Sequence, residues 1–396
     1  MSKVVVHIDL NAFFARCEEI KNPSLENKPV AIGHDGRGGI VSTCSYKARE
    51  FGVSSAMPMF KAKQLCPNLV ILPVDYRFYS MMSHQFINFI KRYTKVVEQA
   101  SVDECFADFT DVVKGIKDVP GFFRKLQNDL YKETKLKCSI GVGPTKFLAK
   151  MGSDYQKPMG LTIIRKSDIS KILYPLPLEK MFGIGKRTCP RLKKMGIITI
   201  GDLADACNKD EAKMKEELGK FFYVIKDWVN GKGSDEVITE EWDPKSIGNS
   251  TTLMNDTNSK EEIASTFRWL AKEVSERAVR QNKLGPTIQI VVKESDFVVH
   301  NKSITLENPT NNADVIFDTA MKLYEKNFAN LTVRLLGITL QNLIDQKDIA
   351  IQMSLFDYQV HEEESATKLL INDLNRRMKK KVLIRASEVE KSNGNK

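Results

Sequence analysis

The sequence predicts an α+β protein built from two split-βαβ (ferredoxin-like) modules with a helix-hairpin-helix unit between them. Three observations carry this prediction. Strand and helix signals alternate over residues 4–20 and 76–165, around an apolar strand that ends in Asp9. A Gly-Ile-Gly triplet at 183–185 joins two helical, strongly basic segments. Residues 244–343 then read β-α-β-β-α-β, a second sheet with helices on one face. With 396 residues the chain is long enough for several cores rather than one.

Residues 4–9 are apolar apart from His7 and end on an acid. Such a run is a buried strand that delivers a carboxylate to the end of a sheet. The period then turns helical: Phe13, Phe14, Cys17 and Ile20 form a stripe, with Arg16, Glu18 and Glu19 off it. Asn11 is the expected N-cap. A partner for Asp9 stands in SVDECFADF (101–109), where Asp103 and Glu104 occupy an alternating segment. Period-two geometry sends adjacent side chains to opposite faces. Both acids reach one site only at a hairpin end or around a cation; otherwise they form a polar hairpin tip. Carboxylates brought together repel unless divalent cations neutralise them. Oxygen donors with few imidazoles nearby suit Mg²⁺ rather than Zn²⁺.

Residues 21–75 read as an insertion: a loop, the strand VAIG, a flexible HDGRGG, the strand IVSTCSY and the helices KAREFG and PMFKAKQLCP. Tyr46 and Arg49 are three apart and share a helix face. An arginine at a helix start beside carboxylates is placed to clamp a triphosphate; the alternative is a surface arginine stacked on a tyrosine. Thr43 offers a hydroxyl.

From 76 to 165 the pattern is a long amphipathic helix, a hairpin of two short strands, a helix, the buried strand CSIGVG, a helix closed by Pro158 and the strand GLTII. Asp9 and Asp103 then end neighbouring strands. Lys157 follows a helix, where a cation complements the dipole. In 183–197 the charged residues are Lys186, Arg187, Arg191, Lys193 and Lys194, all basic. Gly183 and Gly185 let backbone N–H groups approach a phosphate, the mark of sequence-independent DNA-backbone binding; the alternative is a plain αα-hairpin with a solvated basic face. GKGSDEV (231–237) reads as linker. The 244–343 module carries 12 basic and 11 acidic residues, so any DNA grip there must be local. After it comes QMSLFDY (352–358), apolar residues in a polar tail, the composition of a docking peptide. A helix over 365–380, a strand over 382–387 and a disordered end complete the reading.

A net charge of +10 favours an anionic partner, nucleic acid first. The seven cysteines are scattered without CxxC spacing, as reduced thiols rather than zinc ligands or a disulfide frame. No apolar run approaches a membrane span and no secretory leader opens the chain, so the expected location is the cytoplasm, with no membrane partner.

The stretches HIDLNAFFARCE, VSTCSYKAREFGV, SVDECFADF, CSIGVGPTKFLAKMGSDYQKPMG, GIGK and QMSLFDY, in this order, resemble the Y-family translesion DNA polymerases, the Pol IV and Pol V group of bacteria. The resemblance covers nearly the whole chain. It implies a right-hand polymerase with a palm (1–20 and 76–165), small fingers (21–75), a helix-hairpin-helix thumb (166–232), a linker (233–243), a little finger (244–343) and a tail (344–396). It implies low-fidelity addition of deoxynucleotides to a primer 3′ end by two-metal transfer, without proofreading. Asp9, Asp103 and Glu104 would be catalytic, and would hold two Mg²⁺ ions with the Leu10 backbone carbonyl. Phe13, Phe14, Ile40, Ser42, Thr43, Tyr46, Arg49 and Lys157 would bind the incoming dNTP. Phe14 would be the steric gate under the sugar, and Ile40 and Ser42 the roof of the new base pair. Gly183, Gly185, Lys186 and Arg187 would grip primer-template DNA. Gln352, Leu355 and Phe356 would engage the bacterial sliding clamp (beta), and the protein would act as a monomer. Two other classes compete: a catalytically inactive, clamp-tethered DNA-binding relative, and a nucleotidyl cyclase with the same palm chemistry. The three acids argue against the first, and the hairpin unit and docking peptide against the second.

Overall fold

A computed structural model describes residues 3–240, 242–348 and Leu374. The docking peptide and the helix and strand expected after it lie outside the described residues. The chain forms two compact units, divided between Trp242 and Asp243.

The first unit is centred on β1 (Val5–Leu10), every residue of which is buried. After it come α1 (Phe13–Lys21), β2 (Val30–Gly33), β3 (Val41–Cys44), α2 (Tyr46–Glu50), α3 (Met59–Leu65), β4 (Val70–Leu72) and α4 (Tyr76–Ile90). The chain continues through β5 (Val97–Gln99), β6 (Glu104–Asp108), α5 (Val119–Thr134), β7 (Cys138–Gly143), α6 (Lys146–Tyr155) and β8 (Leu161–Ile163). The main sheet runs β5-β6-β1-β7-β8, with β1 antiparallel to both neighbours. Val6, Ile8 and Leu10 pack into the main core and Val5 packs on Ala149 and Val237, so both faces of β1 are covered, which explains the near-continuous apolar run in its sequence. Inside the 21–75 insertion β3, β2 and β4 make a small sheet of their own around Ala31, Val41, Cys44 and Met59. Sequence reading missed β4: three half-buried residues are too few to show a period.

Asn11 does not cap α1. The N-cap position falls on Ala12, in left-handed backbone (φ 48°), with no side-chain cap. The buried Asn11 instead donates from Nδ2 to Ser139 Oγ (3.0 Å) and accepts from the Met159 N–H (2.7 Å). It ties the end of β1 to the turn after α6, so tertiary bonding overrides capping preference.

Next come α7 (Ile169–Ile172), α8 (Thr188–Lys194), α9 (Ile200–Lys209), α10 (Glu211–Leu218) and α11 (Phe222–Val229), packed around Leu173, Leu192, Leu203 and Phe222. The helix expected before Gly183 is a single 3₁₀ turn, Leu178–Lys180. The stretch read as linker is partly docked rather than solvated. Val237 is buried with Val5 and Ala149, the Lys146 N–H donates to the Ser234 carbonyl (2.9 Å), and the Ile238 N–H donates to Glu98 (2.7 Å).

The second unit is β9 (Ser246–Thr257), α12 (Lys260–Arg280), β10 (Lys283–Glu294), β11 (Val299–Thr310), α13 (Ala313–Phe328), β12 (Val333–Gln341) and β13 (Ile344–Asp345). Its main sheet runs β11-β10-β12-β9, antiparallel throughout, with the short β13 pairing β10 separately. The inner residues of β10 and β12 pack on Phe267, Leu270 and Ile316 of the helices. Alternating burial along β10 is the period-two pattern of a sheet covered on one face.

Candidate active site

The register of β1 on β6 sets Asp9 directly across from Glu104. Asp103 precedes β6 in the turn of the β5–β6 hairpin, and its carbonyl accepts from the Leu10 N–H (2.9 Å). Glu104 therefore stands beside Asp9 across the strand pair, and the hairpin turn, not strand periodicity, brings Asp103 to the same end of the sheet. Asp103 Oδ1 accepts from Ser101 Oγ (2.6 Å). Among the described residues no three His, Cys, Asp or Glu side chains converge tightly enough to enclose an ion. The expected three-acid cluster is thus only partly closed.

Two lysines occupy the acids. Lys150 Nζ lies 2.6 Å from Glu104, 3.3 Å from Asp154 and 3.4 Å from Asp9. Lys157 Nζ lies 2.7 Å from both Asp9 and Asp154. Burial and the hydrogen bond with Glu104 raise the Asp9 carboxyl to about 7, against the pull of Lys157 and Lys150. Burial also raises Asp103, opposed by the Ser101 bond and reinforced by Glu104. Burial works against ionisation of Glu104 too, but its bonds with Asp9 and Lys150 and the Lys150 charge outweigh it and hold this carboxyl below the usual range. The site is therefore a buried, acid-rich pocket in which Lys150 and Lys157 stand as the cations beside the carboxylates. All its candidate metal donors are hard oxygens, a set that fits Mg²⁺.

A cavity of about 310 Å³ opens on these acids. Asp9, Leu10 and Asp103 line it with Phe13, Phe14, Ser42, Thr43, Tyr46, Arg49 and Lys157, joined by Ala12, Ser55 and Val102. The Arg49 guanidinium lies over the Tyr46 ring, 4.7 Å from its centre. The Tyr46 hydroxyl is buried without a partner, an unmet polar group that a phosphate oxygen would satisfy. Half-buried Phe14, which lines the cavity, stacks on Tyr79 at 4.4 Å and 14° and meets Tyr76 edge-on. Phe13 belongs mainly to the core, at 2 % exposure. Glu104 and the exposed Ile40 do not line the cavity. Gly183, Gly185, Lys186 and Arg187 sit apart, exposed at the start of α8; Gly183 has φ 88° and faces Trp228 and Phe221.

Sequence reasoning missed Lys150, Asp154, Ser153 and His7. The first two were legible, since Lys150 and Asp154 stand at i and i+4 on one helix and Lys157 follows in the next turn.

The impB/mucB/samB family matches residues 8–154, its C-terminal domain matches 244–355, and the helix-hairpin-helix motif of the same family matches 166–197. DNA polymerase IV of Bacillus velezensis is 37 % identical over 98 % of this chain and 94 % of its own length. The chain belongs to the Y family of DNA polymerases. A solved Y-family polymerase chimera of Dbh and Dpo4 superposes with a TM-score of 0.77 at 27 % identity, over 86 % of this chain and 99 % of the chimera. The insertion ternary complex of Dbh DNA polymerase gives a TM-score of 0.61 at the same identity and coverage. The protein is a DNA-directed DNA polymerase of the translesion type, with the α+β fold of its family. Such Y-family polymerases use divalent metal ions. Among the described residues of this Y-family chain, no helix is long and apolar enough to cross a membrane.

Proposed function

We propose that the cavity at the end of β1 is where this polymerase joins a deoxynucleotide to a primer, with two Mg²⁺ ions held by Asp9, Asp103, Glu104 and the Leu10 carbonyl. Bound there, the ions would acidify the primer 3′-hydroxyl and stabilise the departing pyrophosphate. The supporting observation is the lining of one cavity by two kinds of group. Asp9 and Asp103 line it together with Arg49, Lys157, Thr43 and the unpartnered Tyr46 hydroxyl.

The protein's own residues divide the work. Arg49 and Lys157 offer the triphosphate fixed positive charge, and Thr43 and Tyr46 offer hydroxyl donors. Lys157 releases Asp9 as it takes the phosphates, which frees a carboxylate oxygen for an ion. Phe14 sets the depth of the sugar site and excludes a 2′-hydroxyl. Glu104 would be the acid nearest the primer end, and Asp9, which would help hold both ions, the least replaceable. Ile40 and Ser42 roof the nascent base pair. Gly183, Gly185, Lys186 and Arg187 hold the DNA backbone. Gln352, Leu355 and Phe356 tether the polymerase to the sliding clamp, and the monomer works in the cytoplasm.

Primer extension with Mg²⁺, run beside Asp103→Ala, tests this reading. Extension by the wild type and its loss in the variant, by about 10³-fold or more (~4 kcal/mol), are expected. Undiminished extension by the variant would remove Asp103 from the site.

A further inference from the structure

Beside Glu104, and outside the cavity lining, lies a fully buried histidine for which the mechanism has no use. His7 sits in the middle of β1 at 0 % exposure, its ring 4.6 Å from that of Phe106. Nδ1 lies 2.7 Å from Ser153 Oγ, and Ser153 Oγ donates to the Lys150 carbonyl at 2.9 Å. A serine hydroxyl has one proton, and a carbonyl can only accept. The Ser153 proton is therefore committed to Lys150, and His7 Nδ1 must be the donor in their bond. This fixes the ring's tautomer and rotation. Nε2, left as the lone-pair nitrogen, is buried without a hydrogen-bond partner and stands 3.7 Å from Glu104 Oε2. At that distance it cannot bond the carboxylate, but it fills the space into which Glu104 would otherwise swing. The other oxygen, Oε1, is held by Lys150 Nζ at 2.6 Å.

We infer that His7 and Ser153 are positioning residues: a locked imidazole backstop that keeps the Glu104 carboxylate turned toward the primer end. Residues that orient metal-binding carboxylates typically matter by about 10–100-fold when removed. Lys150 supplies both halves of the arrangement, its ammonium on Glu104 and its carbonyl on Ser153. The helix that carries it therefore sets Glu104 from two sides.

The inference rests on the role proposed for Glu104, and the test separates the two. Steady-state single-nucleotide incorporation would be measured for the wild type, Glu104→Ala, Ser153→Ala and His7→Gln. The expected result is a fall of about 10-fold or more in kcat for Ser153→Ala and His7→Gln. KM for the nucleotide should stay within about 2-fold, because neither residue touches the triphosphate pocket. If Glu104→Ala extends like the wild type, the role of Glu104 fails. If Glu104→Ala is inactive but both other variants keep wild-type kcat, the backstop fails while Glu104 stands. Imidazole nitrogen NMR, with His7 assigned by its absence in His7→Gln, should show the Nδ1–H form in the wild type. It should show loss of that fixed form in Ser153→Ala. An Nε2–H imidazole in the wild type would overturn the geometry. Should His7→Gln fail to fold, Ser153→Ala, which removes only one oxygen, carries the test through kcat and the wild-type spectrum.

Discussion

At the scale of single residues, protons and lysines hold the oxygens that the proposed metal ions would need. Burial and Glu104 keep the Asp9 carboxyl protonated up to about pH 7 in the ion-free protein. Its folded value lies above the unfolded one. Its contribution to stability is thus full below about pH 4 and is lost as pH rises through about 7. An ion bound at Asp9 must displace that proton. Mg²⁺ binding at pH 6 should therefore release protons, and affinity should rise with pH until about 7 and then level. Calorimetry in two buffers of different ionisation enthalpy reads the release directly; equal heats in both buffers would sink the assignment. A second expectation concerns Phe14, whose ring is pinned between Tyr79 and Tyr76. Phe14→Ala should lower discrimination against ribonucleotides by about tenfold or more, roughly 1.4 kcal/mol. Unchanged sugar selectivity would make Phe14 a core residue like Phe13. These acids and this ring were legible because strand, acid and helix follow one another within a dozen residues. His7 was not, because a histidine inside an apolar run says nothing of what lies across the sheet from it.

At the scale of elements the decisive contact is α6 on the sheet. A Cβ at Gly141 would stand 1.9 Å from the Ala149 carbonyl oxygen and 2.2 Å from the Ser153 nitrogen, both backbone atoms of that helix. Glycine here lets α6 lie against β7 closely enough for Lys150 to reach Glu104 and for Ser153 to reach His7. Gly141→Ala should push the helix off, costing about 1–3 kcal/mol or more of stability and most of the extension activity. A wild-type melting temperature for this variant would show that the packing is looser than drawn. Element types were mostly readable from period, because β7 is uniformly buried and α5 and α6 are amphipathic. Boundaries, caps and the three-residue β4 were not, since they are decided by partners distant in sequence. Asn11 is the clearest case: its own neighbours recommend a cap, while Ser139 and the Met159 N–H claim it.

At the scale of the whole molecule the chain behaves as two folding units with separate cores. The buried cluster of the second unit draws every member from Ile247 to Leu340, and none comes from the first. Lys283 closes that unit by pairing with Asp243 and Asp345, one residue from each end of the described fold. The first unit, by contrast, needs residues beyond its last helix, α11. Val237 is buried against Val5 of the central strand, and Glu98 accepts from the Ile238 N–H and pairs with Lys146. The stretch that composition marks as linker is thus a strap on the sheet that carries Asp9. Three fragments separate these dependences. Residues 243–396 expressed alone should melt cooperatively, because a single closed core is the condition for two-state unfolding. Residues 1–232 should melt below residues 1–242, since removal of a buried valine contact and two backbone bonds costs about 1–3 kcal/mol. Equal melting of the two longer fragments would return 233–242 to the status of a passive connector. A gradual, non-cooperative transition in 243–396 would show that the second core depends on the first.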